Sequence, residues 1–227
     1  MVAQCFLKLA PRPKTGCYNP RWSAALADSM IDLPARVRDQ FTEASRVLAD
    51  TNELLAPRVA QAAELVVQCL MRDGKLLVCG NGGEAAQAQH LVAELQGRFR
   101  RARPGLPAIA LCGDSATVTA LGNDYGYEEV FAKQVQALGH AGDTLVGFCV
   151  SGNSSNILAA INAAQERGMP VVALTGRHGG QAGELLGRGD VHLCVPHDNS
   201  ARVQEMHTLI IHCLCEAIDL MLLGEED

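Results

Sequence analysis

The chain contains few aromatic residues: phenylalanine, tryptophan and tyrosine together make up 4% of its 227 residues, and tryptophan occurs once. Hydrophobic residues nevertheless make up 48% of the chain, so the core must be built mainly from alanine, leucine, valine and isoleucine. Strands of such residues are typical of parallel sheets, whose strands are buried on both faces. The length suggests one domain, or one domain with an appendage.

The chain also lacks an excess of basic residues and lacks a long apolar run. Its net charge is −6, and because no long basic run occurs, we expect no direct nucleic-acid partner. No continuous stretch of 18 apolar residues is present, so we expect no membrane span and no membrane partner.

Cysteine is plentiful but does not form a disulfide pattern. The nine cysteines are odd in number, and most lie inside apolar runs, as do Cys69, Cys79, Cys149, Cys213 and Cys215. Such residues are typical of buried, reduced thiols. This usage indicates a cytosolic environment, because disulfides form and persist in oxidising compartments.

The first part of the chain differs from the rest. Residues 1–29 scatter basic residues among prolines without periodicity, and we predict a poorly ordered N-terminal extension. Residues 30–227 are predicted to form a single domain. Its first section, 30–72, is predicted to hold two N-terminal helices, one ending near Leu48 and the next beginning at Pro57, since proline suits the first turn of a helix.

From residue 75 to residue 227 we predict an α/β core and a terminal helix. Five short apolar runs alternate with helical patterns, which predicts a doubly wound five-stranded parallel sheet flanked by helices. The terminal helix is predicted to begin near Ser200, as its N-cap, and to end near Leu223. The predicted strands are Leu76–Cys79, Ala108–Cys112, Asp143–Val150, Val171–Thr175 and Val191–Val195.

Three loops rich in glycine or serine follow three of these strands: Gly80–Gly83, Ser151–Ser155 and Gly176–Gly180. The carboxyl ends of parallel strands meet at one edge of a sheet, which is where ligands bind. Serine hydroxyls such as those of Ser151 and Ser154, with the free N–H groups of the helix that follows, suit a phosphate. The alternative is that these short polar loops only connect helices to strands.

Two pairs of polar residues occur on predicted helices. His90 and Glu94 are one turn apart and project from one face. Gln204 and His212 lie about 80° apart around the terminal helix at 3.6 residues per turn. An imidazole beside a carboxylate suits proton transfer or metal ligation. The alternatives are an exposed polar pair for the first, and a core histidine for His212.

The chain resembles the sugar isomerase (SIS) domain and, more narrowly, the phosphoheptose isomerases. The likeness covers residues 30–227. The motifs that carry it are Cys79-Gly80-Asn81-Gly82-Gly83, Asn123-Asp124, Ser151-Gly152-Asn153-Ser154, Ala173-Leu174-Thr175-Gly176 and Arg202-Val203-Gln204-Glu205-Met206-His207. The resemblance implies an aldose–ketose isomerase that converts sedoheptulose 7-phosphate to D-glycero-D-manno-heptose 7-phosphate, a heptose precursor of lipopolysaccharide.

The resemblance also implies roles for particular residues. Glu94 is expected to act as base and His212 as acid, and one zinc ion per subunit is expected on His90, Glu94, Gln204 and His212. A base bound to a metal is a weaker base, so the two roles of Glu94 conflict. The chain is expected to form a homotetramer. The expected ligands of the sugar phosphate substrate are Asn81, Gly82, Gly83, Asn123, Asp124, Ser151, Asn153, Ser154 and Gln204.

Two alternatives belong to other classes of function. A non-catalytic relative with the same fold regulates replication initiation by binding DnaA, and this chain resembles it strongly over residues 132–143. That regulator lacks the glutamate and second histidine of the isomerase pattern, so their presence here favours an enzyme. A sensor of sugar phosphates is the other alternative. Where the isomerases have serine, this chain has Glu84, and it has Cys149-Val150 where their phosphate loop begins Ser-Thr.

Overall fold

A computed structural model describes residues 31–225 of the chain. The chain divides into two compact units, Met1–Gln40 and Phe41–Asp227. Of the first unit the structure describes residues 31–40, which contain the beginning of a helix. The predicted poorly ordered extension, 1–29, lies outside the described residues.

Helix α1 spans Leu33–Leu70 as one continuous helix. Asp32 caps it, since its carboxylate accepts a hydrogen bond from Ala35 N–H at 2.9 Å. The prediction of two helices separated before Pro57 is wrong, because Pro57 lies inside α1. Buried side chains recur every three or four residues on both sides of the proline, and this packing maintains the helix across it. These side chains are Val47, Thr51, Leu55, Val59, Ala62, Ala63, Val66 and Val67.

A five-stranded parallel sheet forms the centre of the second unit, as predicted. The strand order is β2-β1-β3-β4-β5, in which the order reverses between β1 and β3. The three inner strands are buried throughout, whereas the edge strands β2 and β5 are partly accessible. The strands are β1 (Leu76–Cys79), β2 (Ala108–Ala110), β3 (Thr144–Cys149), β4 (Val171–Thr175) and β5 (Val191–Cys194).

Helices connect these strands and cover both faces of the sheet, each face packing on its own apolar cluster. They are α2 (Gly83–Gln96), α3 (Ser115–Tyr125), α4 (Ala132–Leu138), α5 (Ser155–Glu166), α6 (Gly180–Leu185) and α7 (Ser200–Leu223), with a 3₁₀ turn at Tyr127–Glu129. The sequence did not predict α6. The N-cap of α7 is Asn199 and not Ser200, because the Asn199 side chain accepts a hydrogen bond from Ala201 N–H at 3.0 Å.

Helix α7 is long and apolar enough to cross a membrane, with a mean hydropathy of 1.6 over its most apolar stretch. Its packing explains that composition, because its buried side contacts the rest of the second unit. Asp219 on that side forms an ion pair with the buried Arg103 at 2.6 Å, and His207 bonds the backbone of β4 at Thr175. These are contacts of a core helix.

Candidate functional site

The loops that follow β1, β3 and β4 lie together at one edge of the sheet. The loops after β1 and β3 flank the point where the strand order reverses, which is where ligands of such sheets bind. The loop after β3 also touches the loop after β4, because a Cβ at Gly152 would lie 1.9 Å from the carbonyl oxygen of Gly179. Gly152 has φ +67°, so both the conformation and the close approach require glycine.

A reciprocal pair of amide hydrogen bonds connects the loop after β1 with helix α5. Asn81 donates to Asn156 at 2.8 Å, and Asn156 donates to Asn81 at 2.9 Å. Tyr127 adds a third bond, its hydroxyl donating to the Asn81 side chain at 3.1 Å. The predicted ligand Asn81 therefore uses its side chain within the protein. Sequence reasoning missed Asn156 and Tyr127, because only the fold brings them to Asn81.

Glu84 connects the two sides of the point where the strand order reverses, through a hydrogen bond of its side chain. Its side chain is buried, with 8% of the residue exposed, and its carboxylate accepts a hydrogen bond from the backbone N–H of Val150 at the end of β3. Burial raises the pKa of Glu84, although bonds from the N–H groups of Val150 and Asn81 partly offset that effect. The turn before it is tight, since a Cβ at Gly80 would lie 2.5 Å from the Glu84 carbonyl oxygen.

The loop after β3 presents the predicted serine hydroxyls. Ser151 is exposed, and its hydroxyl accepts a hydrogen bond from Asn153 N–H at 3.1 Å. Ser154 is the N-cap of α5, yet its side chain makes no capping hydrogen bond. The amide of Asn153 is held inside the loop, donating to Ser151 O at 2.9 Å and accepting from Gln181 N–H at 3.1 Å. The serines and the amino end of α5 therefore offer the donors that suit a phosphate.

Helices α2 and α7 lie side by side and bring three of the predicted site residues together. His90 Nε2 lies 3.2 Å from Glu94 Oε1. The rings of His90 and His212 meet edge to face, with 5.1 Å between their centres. His212 also stacks on Phe99 at 5.6 Å. All three polar residues are partly accessible, so His212 is not the core histidine that its apolar neighbours allowed.

Gln204, the fourth residue of this set, lies two turns away from His212 on α7. Its side-chain amide packs on Gly83, where an added Cβ would lie 3.2 Å from Nε2. The buried Gln87 fixes the two helices at this level, donating to the carbonyl oxygen of Gln204 at 2.6 Å. A larger residue at position 83 would therefore have to displace the Gln204 side chain slightly.

The four residues expected to bind zinc offer suitable donor atoms. Two imidazoles, a carboxylate and an amide oxygen form a donor set that zinc accepts. Within residues 31–225, however, no three histidine, cysteine, aspartate or glutamate side chains form a group that could hold a metal ion. Zinc on His90, Glu94, Gln204 and His212 stays a prediction.

Asn123 and Asp124, the remaining predicted ligands, lie in the last turn of α3 and are exposed. The Asn123 amide donates to the Asp124 carboxylate at 2.9 Å. The nearest connection to the loops described above comes from Tyr127, just beyond α3, which bonds Asn81. The structure thus places the pair beside the site and does not tie it to the serine loop.

The chain is similar to known proteins over most of its length. Residues 40–176 match the SIS domain. The chain is 53% identical over 197 residues to the phosphoheptose isomerase of Aromatoleum aromaticum, which covers 87% of this chain and all of that relative.

Solved structures give the same result. The phosphoheptose isomerase from Neisseria gonorrhoeae is 51% identical, with a TM-score of 0.79 over 82% of this chain and 98% of that one. The enzyme from Francisella tularensis is 46% identical, with a TM-score of 0.81 over 83% and 99%. Fold and site thus define a SIS-domain isomerase of the aldose–ketose type. Within that class, the chain belongs to the phosphoheptose isomerase family.

Proposed function

We propose that the protein interconverts sedoheptulose 7-phosphate and D-glycero-D-manno-heptose 7-phosphate, the step that supplies a heptose precursor for lipopolysaccharide. The observation that carries this proposal is the cluster of His90, Glu94 and His212 on α2 and α7, in a chain about half identical to named phosphoheptose isomerases. A carboxylate beside imidazoles at a partly accessible position can take and return protons.

The phosphate end of the substrate is assigned to the loop after β3. Ser151 and Ser154 supply hydroxyls, and the first N–H groups of α5 point toward an anion placed there. The first glycine loop approaches from the neighbouring strand, where Gly82 and Gly83 are exposed. Asn123 and Asp124 would then contact sugar hydroxyls from the end of α3.

The reacting carbons are assigned to Glu94 and His212. In the direction from ketose to aldose, Glu94 removes a proton from C1 while His212 donates a proton to the carbonyl oxygen on C2, which gives the enediol. Glu94 then returns its proton to C2 as His212 takes back a proton from the C1 hydroxyl, and the aldehyde forms. His90 holds the Glu94 carboxylate in place through the 3.2 Å contact.

Assembly is part of this proposal. Glu94 lies almost three turns beyond Glu84 on α2, about 15 Å along the axis at 1.5 Å per residue. The phosphate loop and the proton-transfer residues of one chain are therefore well separated. We propose a homotetramer in which a neighbouring subunit brings the two ends together. A cytoplasmic location suits an enzyme that acts on phosphorylated sugars.

The direct test is to incubate the purified protein with sedoheptulose 7-phosphate, with and without added zinc, and to measure the aldose formed. Glu94→Gln keeps the shape of the side chain and removes its basicity, so turnover should fall by about 10²- to 10⁴-fold. His212→Asn should also lower it. Glu166→Gln, an exposed glutamate on α5, serves as the control and should leave kcat unchanged.

Wild-type kcat in both the Glu94 and the His212 variants would place the chemistry elsewhere. If the wild-type protein shows no turnover but binds DnaA, the regulator function replaces the isomerase. Binding of sugar phosphate with neither turnover nor DnaA binding would instead favour a sensor. Measuring product formation, DnaA binding and sugar phosphate binding with one preparation separates the three functions.

A further inference from the structure

The buried carboxylate of Glu84 occupies an unusual position between two loops that face the proposed phosphate site. It comes from the first turn of α2, directly after the glycine loop of β1. Its carboxylate accepts a hydrogen bond from the backbone N–H of Val150, which immediately precedes the serine loop. This side chain, which directly follows the first loop, thus bonds the backbone at the start of the second loop, across the point where the strand order reverses.

This contact accounts for a carboxylate that is otherwise unfavourable here. A buried charge lowers stability unless hydrogen bonds compensate it, and a carboxylate beside a phosphate site repels the ligand. Bonds to backbone N–H groups are strengthened by the charge of the acceptor. The side chain turns toward Val150, so it restrains the residue from which Ser151 and α5 continue.

We propose that Glu84 is a positioning residue for phosphate binding: by holding Val150 N–H it fixes the turn that presents Ser151 and the amino end of α5. The inference rests on the proposed function for the identity of the substrate. It does not depend on turnover, because the loop it positions would bind inorganic phosphate in the absence of sugar.

Two substitutions separate the contact of Glu84 from its charge. Glu84→Asp keeps the charge but is one methylene shorter, so it withdraws the acceptor from Val150. Glu84→Gln keeps the reach and the acceptor but removes the charge. A matched control is Asp143→Asn, because Asp143 is also buried and bonds two backbone N–H groups, those of Lys75 and His140, at the opposite edge of the sheet.

The experiment measures the Kd of inorganic phosphate by calorimetry, and KM and kcat for sedoheptulose 7-phosphate, with melting curves to confirm folding. Glu84→Asp should raise both Kd and KM by about tenfold, the scale of one lost charge-assisted hydrogen bond, with kcat within about twofold. Glu84→Gln should stay within about threefold of the wild type, because a neutral acceptor still holds the turn. Asp143→Asn should change neither Kd nor KM.

Several results would overturn the inference. Unchanged phosphate Kd in Glu84→Asp means that the contact does not position the loop. A large effect in Glu84→Gln without one in Glu84→Asp assigns the role to charge. An equal rise of the phosphate Kd in Asp143→Asn would assign the effect of Glu84→Asp to a general loss of order. Absence of turnover in the wild type would reject the proposed function alone, since the phosphate Kd values remain readable.

Discussion

At the scale of single residues, the side chain of Asn81 shows how a motif can be identified while its role stays hidden. The glycine-rich run after β1 identifies Asn81 from sequence as a site residue. Its amide, however, is held by Asn156 and Tyr127. Asn156 lies 75 positions later in the chain, and no local pattern connects the two. What remains for a substrate at this point is mainly the backbone of Gly82 and Gly83.

The stretch that resembles the DnaA-binding regulator, residues 132–143, ends in a residue with a structural role in this protein. Asp143, at the end of that stretch, accepts hydrogen bonds from Lys75 N–H at 2.9 Å and His140 N–H at 2.8 Å. Its carboxylate also pairs with the Lys75 ammonium at 2.6 Å. At Asp143, the likeness therefore coincides with contacts that hold together the starts of β1 and β3.

The burial of His207 predicts how the free energy of unfolding changes at acid pH. This residue is fully buried, its Nε2 lies 3.1 Å from Thr175 O, and its Nδ1 has no hydrogen-bond partner among residues 31–225. Burial lowers its pKa to about 4 from 6.5. The unfolded chain therefore binds the proton between these values while the fold excludes it, so stability is lost as the pH falls from 6.5 to 4.

The expected loss from this one group is about 3 kcal/mol by pH 4. His207→Gln cannot titrate and keeps a donor for Thr175 O, so its unfolding free energy should vary less over that window. Urea unfolding at several pH values measures this. His178→Gln, at an exposed histidine, is the control and should keep the wild-type slope. An unaltered slope in His207→Gln would show that other groups dominate.

At the scale of elements, the strands were predictable and the longest helix was not. The strands β1, β3 and β4 are buried along their whole length, and a short apolar run between polar loops predicts such strands well. Helix α1 contains Pro57, which from sequence favours a break. Tertiary packing decides otherwise, because the buried stripe continues from Thr51 through Leu55 to Val59. The helix propensities of single residues could not reveal the surface on which this stripe packs.

Pro57 supplies the second prediction. It is exposed, and its ring removes the hydrogen bond that a residue at this position would donate to the exposed carbonyl of Glu53. Pro57→Ala should raise the free energy of unfolding by about 1–3 kcal/mol, since proline is unfavourable inside a helix. Urea denaturation measures the change. A decrease in stability would instead show that the proline sets a bend on which the packing of α1 depends.

At the scale of the whole molecule, the sequence predicted that the three loops share an edge, because parallel strands all end there. Local sequence patterns could not predict that α2 and α7 run side by side, since the chain between them is more than a hundred residues long; only the resemblance to the isomerases implied it. That packing is what places His90 beside His212. Glu94 lies about 15 Å along α2 from Glu84, so it is distant from the serine loop of its own chain.

The separation leads to the last prediction, which concerns assembly. An apolar groove between α1 and α7 is lined by residues that include Leu48, Leu55, Val59 and Ile210. Leu209, at the same groove, is 39% exposed, and Leu48 is 42% exposed. A second copy of the chain would cover these side chains, as apolar surface is removed from water on association.

Light scattering should therefore report a particle of about four chain masses, in line with the closed symmetric assemblies that homo-oligomers form. Leu209→Glu places a charge in the groove, so it should reduce the mass of the particle. It should also reduce turnover, because the phosphate loop and the proton-transfer residues of one chain lie apart. Leu138→Glu is the control, because Leu138 on α4 is also a leucine and is exposed to a similar extent, 38%. It should keep both the wild-type mass and the wild-type turnover. A wild-type monomer at micromolar concentration that still turns over substrate would refute the tetramer and the shared site together.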